Sequence, residues 1–323
     1  MSDAITCFVT GATGAVGRPT VRGLLGAGHR VRAVARSDER AASLRDAGAE
    51  PVTVDLFDRD GLVDAVAGSD AILHLATNVP PLSKMGFALA WKTHNRLRTE
   101  TTRHLIDAAR THGIRRFVKE SITFTYPDRG DAWIDESVAP DEHAKLLRPT
   151  VEGERLVLAM TGAVGDGVVL RFGLFYGADT RSTDEAIRMA RVRVAPAVGR
   201  SGSYLSSIHV DDAAAAVVAA LGVPAGAYNV VDDEPLTRRE YADAFAAAFD
   251  LPHLRLTPAG MVRAMGGSGA KALTASQRVS NRRFREATGW APAYRSAREG
   301  WAAIGAARSH ASASSATSRE AQP

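Results

Sequence analysis

Three glycines near the amino terminus have the spacing of a phosphate-binding turn. Gly11, Gly14 and Gly17 follow the apolar run "ITCFVT" directly. A strand that turns through glycines into a helix aims backbone N–H groups and the helix dipole at one point, which suits an anion. Glycine also lets a pyrophosphate approach the backbone closely. The turn is therefore predicted to bind a dinucleotide. Its other predicted contact residues are Thr13, Ala15 and Val16.

The elements that position this turn alternate between strand and helix. Runs such as "RVRAVAR", "EPVTVDL" and "DAILHLA" are separated by segments of helical period, and a long helix is predicted over residues 87–112. This alternation predicts a doubly wound parallel α/β sheet, a Rossmann fold of about seven strands. Residues 1–305 are predicted to form this domain together with a smaller C-terminal substrate lobe, mainly from residue 175 on. Residues 306–323 are small and polar, and we expect them to be disordered.

Composition excludes several function classes. The net charge is +4, and the arginines are spread without a five-residue basic block, so no nucleic-acid partner is predicted. No apolar run is long enough to span a membrane, so we predict no membrane partner and a cytoplasmic location. The single cysteine, Cys7, excludes a cysteine metal cluster. "HVDD" (209–212) is interpreted as a strand end followed by an aspartate that caps a helix, so no metal site is predicted.

Several motifs together resemble the extended or atypical branch of the short-chain dehydrogenase/reductase superfamily, which includes NAD-dependent epimerases and dehydratases. They are "TGATGAVG", "VDL", "HLAT", "LRFGLFYG" and "IHVDDAAAAV", and the resemblance extends over residues 5–303. It implies a bound nicotinamide dinucleotide and an oxidoreductase or epimerase/dehydratase that acts on a small molecule, with a homodimer as one form of assembly. The cofactor contacts that it implies beyond the glycine turn are Asp55, Leu56, Leu75, Ala76, Thr77 and Asn95.

The end of the second strand bears on the choice between NAD and NADP. An acidic residue there would bind the ribose hydroxyls of NAD and repel a 2′-phosphate. This chain has Ala35 followed by Arg36, and an arginine suits a phosphate. We therefore predict NADP(H) in preference to NAD(H), with Arg18 as an additional contact. The alternative is that Arg36 is only a surface residue.

The family's usual catalytic pair is predicted to be missing. Members normally use a tyrosine and a lysine four residues later, helped by a serine or threonine. Alignment on "VEGERLV" places Leu146 and Thr150 at the tyrosine and lysine positions, and Pro149 is expected to interrupt the helix. Alignment on the fifth strand places Ile122 at the hydroxyl position. A register shifted by a few residues is the alternative.

Five other side chains are candidates for the catalytic groups: Ser121, Thr123, Tyr126, His143 and Lys145. The functional alternatives that remain are a reductase or epimerase with these substitute groups, a non-redox lyase, isomerase or cyclase on the same fold, and a regulatory protein that senses NADP(H) without turnover.

Overall fold

A parallel sheet forms the centre of the computed structural model, which describes residues 4–80, 84, 87–141, 145–261 and 271–320, with side chains up to Ser309. The strands are β1 (Thr6–Thr10), β2 (Arg30–Val34), β3 (Glu50–Val52), β4 (Ala71–His74), β5 (Arg116–Ile122), β6 (Trp133–Ile134), β7 (Asp166–Phe172), β8 (Leu174–Tyr176), β9 (Val194–Val198), β10 (Tyr204–Leu205), β11 (Ser207–His209), β12 (Gly226–Val230), β13 (Leu236–Thr237), β14 (Arg255–Thr257) and β15 (Arg278–Val279). Seven of them form the sheet in the order β12-β7-β5-β4-β1-β2-β3, all parallel. The predicted Rossmann sheet is confirmed.

Helices cover both faces of this sheet. They are α1 (Gly17–Gly26), α2 (Asp38–Asp46), α3 (Arg59–Ala65), α4 (Lys92–Arg96), α5 (Thr102–His112), α6 (Arg148–Ala159), α7 (Arg181–Ala190), α8 (Val210–Ala219), α9 (Arg238–Ala248), α10 (Arg282–Thr288) and α11 (Ala297–Glu320). Alternate residues of β1 enter different cores: Cys7 and Val9 pack with α1 and α8, whereas Phe8 packs with α3 and α5. Burial on both faces explains why the strands are continuous apolar runs.

The chain order places a crevice at the carboxyl edge of the sheet. β1 lies between β2 and β4. The chain adds β2 and β3 on one side of β1 and then crosses over to add β4 and β5 on the other side, so the strand order reverses at β1. Such a switch point is where doubly wound folds bind dinucleotides. Past β8, short strand pairs and α7, α9 and α11 build a separate apolar cluster that includes Phe245 and Trp301.

The predicted long helix over residues 87–112 is divided into four parts. A 3₁₀ turn (Ala88–Trp91) leads into α4, a π-helical turn (Leu97–Thr101) follows, and α5 completes the segment. π-helical turns inside helices occur often at functional sites. This one contains Arg98, which is buried against β5.

The structure assigns helix to residues 306–320 of the carboxyl-terminal segment, and the disorder predicted for residues 306–323 stays a prediction. α11 continues to Glu320, and Arg308 donates hydrogen bonds to the Ala178 carbonyl and to Asp184. The alanines of this segment favour helix. Residues 321–323 lie outside the described residues.

Asp232 gives the fold a testable pH dependence. Its buried carboxylate accepts hydrogen bonds from Ser207 (2.9 Å) and Tyr176 (3.3 Å), and Oδ1 has no hydrogen-bond partner among the described residues. Burial raises the pKa of Asp232 well above its usual value. The folded protein therefore favours the neutral carboxyl. Its contribution to the free energy of unfolding is fully present below the unfolded pKa of about 4 and is lost as pH rises through the folded pKa.

We expect Asp232→Asn to raise the free energy of unfolding at pH 7 by about 1–3 kcal/mol, because the neutral amide needs neither proton uptake on folding nor a buried charge. Urea titrations from pH 4 to 8 should show a smaller loss of stability with rising pH than the wild type shows. Asp46→Asn, on the exposed surface of α2, is the control and should leave the pH dependence unchanged. If stability depends on pH in Asp232→Asn as it does in the wild type, the raised pKa of Asp232 is contradicted.

Candidate cofactor and active site

A cavity of about 540 Å³ lies at the carboxyl edge of the sheet. It collects residues from the ends of successive strands, as the topology requires. The predicted cofactor contacts that line it are Gly11, Thr13, Gly14, Ala15, Val16, Gly17, Arg36, Asp55, Leu56, Leu75, Ala76 and Thr77. Asn95 is not among the lining residues; Thr93 and Leu97 of the same segment are.

The three glycines have different roles in the turn. Gly11 has φ +75°, and a Cβ there would lie 2.6 Å from the Leu75 carbonyl carbon. A Cβ on Gly17 would collide with the Gly11 backbone, so these two glycines allow close packing of β1, β4 and α1. Gly14 has only the Gly11 oxygen nearby, at 3.1 Å, and lines the open side of the turn. The turn and the amino terminus of α1 thus fit a pyrophosphate.

Two arginines lie at the β2 end of the cavity, which we define by Arg36, Arg40 and Asp55. Arg36 is exposed, and Arg40 Nη1 lies 3.4 Å from Thr13 Oγ1. Arg40 was not predicted, although its position in the first turn of α2, four residues after Arg36, could have indicated it. Arg18 instead donates to the Asp179 carbonyl at 3.0 Å and is not a lining residue, so its predicted contact is not supported.

The β5 end of the cavity, defined by Thr93, Leu97, Glu120 and Phe175, lies across the switch point from the arginines. Glu120 is 4% exposed, and its Oε2 is 2.5 Å from Arg98 Nη1. Arg98 also donates to the Glu120 carbonyl at 2.6 Å. Glu120 was not among the predicted site residues, because a charged side chain at this position was interpreted from the sequence as a surface or hydrogen-bonding residue.

Three of the predicted catalytic side chains are buried away from the cavity lining, and two of them, Ser121 and Tyr126, belong to one hydrogen-bonded network. Ser121 donates to Glu154, which pairs with Arg171 at 2.6 Å. Tyr126 donates to Asn229 at 2.8 Å and accepts from Arg171 at 2.8 Å. Burial raises the pKa of Tyr126 to about 12. Thr123 is also buried and outside the lining. Ser121, Thr123 and Tyr126 are therefore buried outside the cavity lining, with Ser121 directed from β5 toward α6, and their catalytic role stays a prediction.

The remaining predicted candidates precede α6. Lys145 is exposed and is not a lining residue, and His143 lies outside the described residues. Leu146 is half-buried and Thr150 is buried. Pro149 does not interrupt the helix as expected; it lies in the first turn of α6, where its missing N–H costs no hydrogen bond.

Buried basic groups surround the β5 end without lining the cavity. Lys119 donates to Thr102 at 3.0 Å, and burial beside Arg98 lowers its pKa to about 7. Burial lowers the pKa of His94 to about 3 and that of His74 well below its usual value. Both histidines are therefore neutral at physiological pH and hold the strand ends by hydrogen bonds, His74 to Leu97 O at 3.0 Å.

Other predicted features can be located as well. His209, not an aspartate, caps α8, because its Nδ1 accepts from the Asp211 N–H at 3.3 Å; Asp212 instead accepts from the backbone N–H of Ala293.

In the part of the chain that the structure describes, no group of three potential metal-ligating side chains is present. No helix among the described residues is long and apolar enough to cross a membrane.

Comparison with known proteins places this architecture among nicotinamide enzymes. Residues 11–167 match the NAD(P)H-binding family model. The chain is 35% identical over 306 residues to a 3-diazoavenalumate denitrifying reductase of Streptomyces sp, covering 91% of this chain and 98% of the relative. It is 29% identical over 263 residues to a 2-alkyl-3-oxoalkanoate reductase of Stenotrophomonas maltophilia, covering 76% of each.

Solved structures share the fold at low identity. Human epimerase family protein SDR39U1 with NADPH gives a TM-score of 0.77 at 23% identity, covering 93% of this chain and 99% of that one. A UDP-N-acetylglucosamine 4-epimerase from Bacillus cereus gives 0.71 at 19% identity, covering 94% and 99%. With the glycine turn, the crevice and the reductases of similar length, these findings show that the chain belongs to the NAD(P)-binding short-chain dehydrogenase/reductase superfamily, in its reductase and epimerase/dehydratase branch.

Proposed function

We propose that this enzyme is an NADP(H)-dependent reductase whose substrate accepts hydride without a proton from a tyrosine. One observation carries the proposal: the cavity has two arginines at its β2 end and a carboxylate, Glu120, at its β5 end. Among the described residues that line it, there is no tyrosine, lysine, histidine or cysteine.

The β2 end supports NADP(H). The glycine turn fixes the pyrophosphate, so the adenosine half lies toward β2 and the nicotinamide half toward β5. Ala35 carries no charge that would repel a 2′-phosphate, and the guanidinium groups of Arg36 and Arg40 can bind it. A phosphate bound between these side chains gains charge-assisted hydrogen bonds that NAD(H) lacks.

The β5 end supports a reaction without a protein acid. Reduction of a ketone develops negative charge on oxygen, and enzymes stabilise it with a proton donor or a cation. The alignment on "VEGERLV" predicts Leu146 and Thr150 at the tyrosine and lysine positions, and the hydroxyl of Tyr126 is hydrogen-bonded in the buried network. A carboxylate at this end is an acceptor and would disfavour an oxyanion.

A diazo compound satisfies these requirements. The relative named as a 3-diazoavenalumate denitrifying reductase supports this substrate class. Bound NADPH supplies hydride; an arenediazonium ion that gains hydride and loses dinitrogen becomes a neutral arene, so charge and atoms balance without a proton from the protein. The chain's own residues need only bind the ring and exclude water.

The test is a comparison of substrate classes. The purified protein and NADPH are incubated anaerobically with 4-carboxybenzenediazonium, and NADP⁺, dinitrogen and benzoate are quantified after subtraction of the protein-free rate. We expect equal amounts of the three products and no reduction of 3-oxoalkanoates. Ketone reduction without diazonium turnover would contradict the proposal, and NADPH binding without any turnover would favour the regulatory alternative.

The cytoplasmic location, the homodimer and the assignment of the substrate lobe stay predictions. Light scattering after size exclusion measures the assembly directly, and a monomer mass would overturn the homodimer.

A further inference from the structure

Among the described residues that line the cavity, Glu120 is the one charged residue that does not belong to the β2 end. The lining's other charged residues are Arg36, Arg40 and Asp55, all at the β2 end. The lining of the β5 end also includes Leu97, Phe175 and Thr93. Apolar neighbours exclude water, and a charge exerts a stronger field where water is excluded.

The pairing of Glu120 with Arg98 is directional. Oε2 contacts Arg98 Nη1 at 2.5 Å without the geometry of a hydrogen bond, and Oε1 accepts from Nη2 at 3.2 Å. Glu120 borders the cavity and Arg98 does not. Glu120 is thus the member of the pair that borders the cavity, and because its Oε2 is buried, Oε1 is the oxygen we assign to face a group in the cavity.

We propose that Glu120 is a specificity-determining residue that contacts a positively charged reacting group and selects it over neutral groups. This inference rests on the proposed function, in which that group is a diazonium ion. The attraction is greatest before hydride arrives, because the substrate loses its positive charge in the reaction. Glu120 should therefore act mainly on substrate binding and little on the chemical step.

The first readout is binding, without turnover. Benzamidinium and benzamide have nearly the same shape and differ in charge, so their ratio of affinities reports the charge of the site. For the protein–NADPH complex we expect calorimetry to give at least about tenfold tighter binding of benzamidinium, equivalent to about 1.4 kcal/mol. In Glu120→Gln the ratio should fall close to one.

The second readout is kinetic. With 4-carboxybenzenediazonium, Glu120→Gln should raise KM about tenfold or more and leave kcat unchanged or higher. Glu152→Gln is the matched control, because Glu152 is an exposed glutamate of α6 that also pairs with an arginine, Arg103. It should change neither the affinity ratio nor KM.

A folding defect can be separated from loss of selectivity. Glu120→Gln leaves Arg98 buried without its anionic partner, so Arg98→Met/Glu120→Gln removes both charges and should also show the lost selectivity. A folded Glu120→Gln or double variant that keeps the wild-type preference for benzamidinium overturns the inference. Diazonium reduction without cation preference would overturn it while leaving the proposed function intact. Cation preference without diazonium reduction would support it and overturn the function.

Discussion

Replacing Arg171 with methionine is expected to lower the free energy of unfolding by about 3–5 kcal/mol. Arg171 Nη2 lies 2.6 Å from Glu154 Oε2, and its Nη1 donates to Tyr126 at 2.8 Å. Both members of the ion pair are buried, so the variant would leave the Glu154 carboxylate without its positive partner. Urea unfolding at pH 7 measures the loss. Arg45→Met, on the exposed end of α2, should change stability by less than about 0.5 kcal/mol.

Tyr126→Phe separates this structural role from the catalytic role that the sequence suggested. The variant removes one hydroxyl that bonds Asn229 and Arg171, at a cost of about 1–3 kcal/mol, and keeps the Arg171–Glu154 pair. Because Tyr126 is outside the cavity lining, turnover should stay at the wild-type level under conditions where the variant is folded. Loss of turnover in folded Tyr126→Phe, or an Arg171→Met protein as stable as wild type, would contradict the arrangement described above.

The second large effect concerns the choice of nucleotide. Arg36→Ala and Arg40→Ala should each weaken NADPH binding by about 1–3 kcal/mol, since each removes a charged hydrogen bond to the 2′-phosphate. Neither change should alter NADH affinity by more than about threefold, or roughly 0.7 kcal/mol. Calorimetric titration of both cofactors gives the comparison. Arg18→Ala is the control, because that side chain bonds the Asp179 carbonyl outside the lining. Equal affinities of wild-type protein for NADH and NADPH would contradict the preference.

The glycine turn and the cavity lining around it could be predicted from the sequence, because the motifs are local and a parallel sheet fixes where the strand ends lie. Once β1 ends in a glycine turn, parallel strands must bring Asp55 and Thr77 to the same edge. Arg40 was missed because the motif stops at the end of β2. Asn95 was assigned by resemblance alone, and the π-helical turn beside it directs Leu97 to the cavity instead.

The β5 end of the cavity could not be predicted in the same way, because its chemistry depends on which side chains form buried hydrogen bonds and ion pairs. Tyr126 follows β5 and has the right chemistry, yet Asn229 and Arg171, distant in sequence, bind its hydroxyl. Glu120 has no motif, and its buried partner Arg98 comes from the segment between α4 and α5. Such long-range pairs have no signature in a single sequence.

A single-turnover measurement tests the central claim most directly. The rate of NADPH oxidation by 4-carboxybenzenediazonium on the enzyme is recorded with NADPH and with NADPH deuterated at both C4 positions, each in H₂O and in D₂O. Hydride transfer without a protein acid predicts a slower reaction with the deuterated cofactor and equal rate constants in the two solvents. A lower rate constant in D₂O with the ordinary cofactor would show that a proton is transferred in the rate-limiting step. It would contradict a reductase that works without the tyrosine.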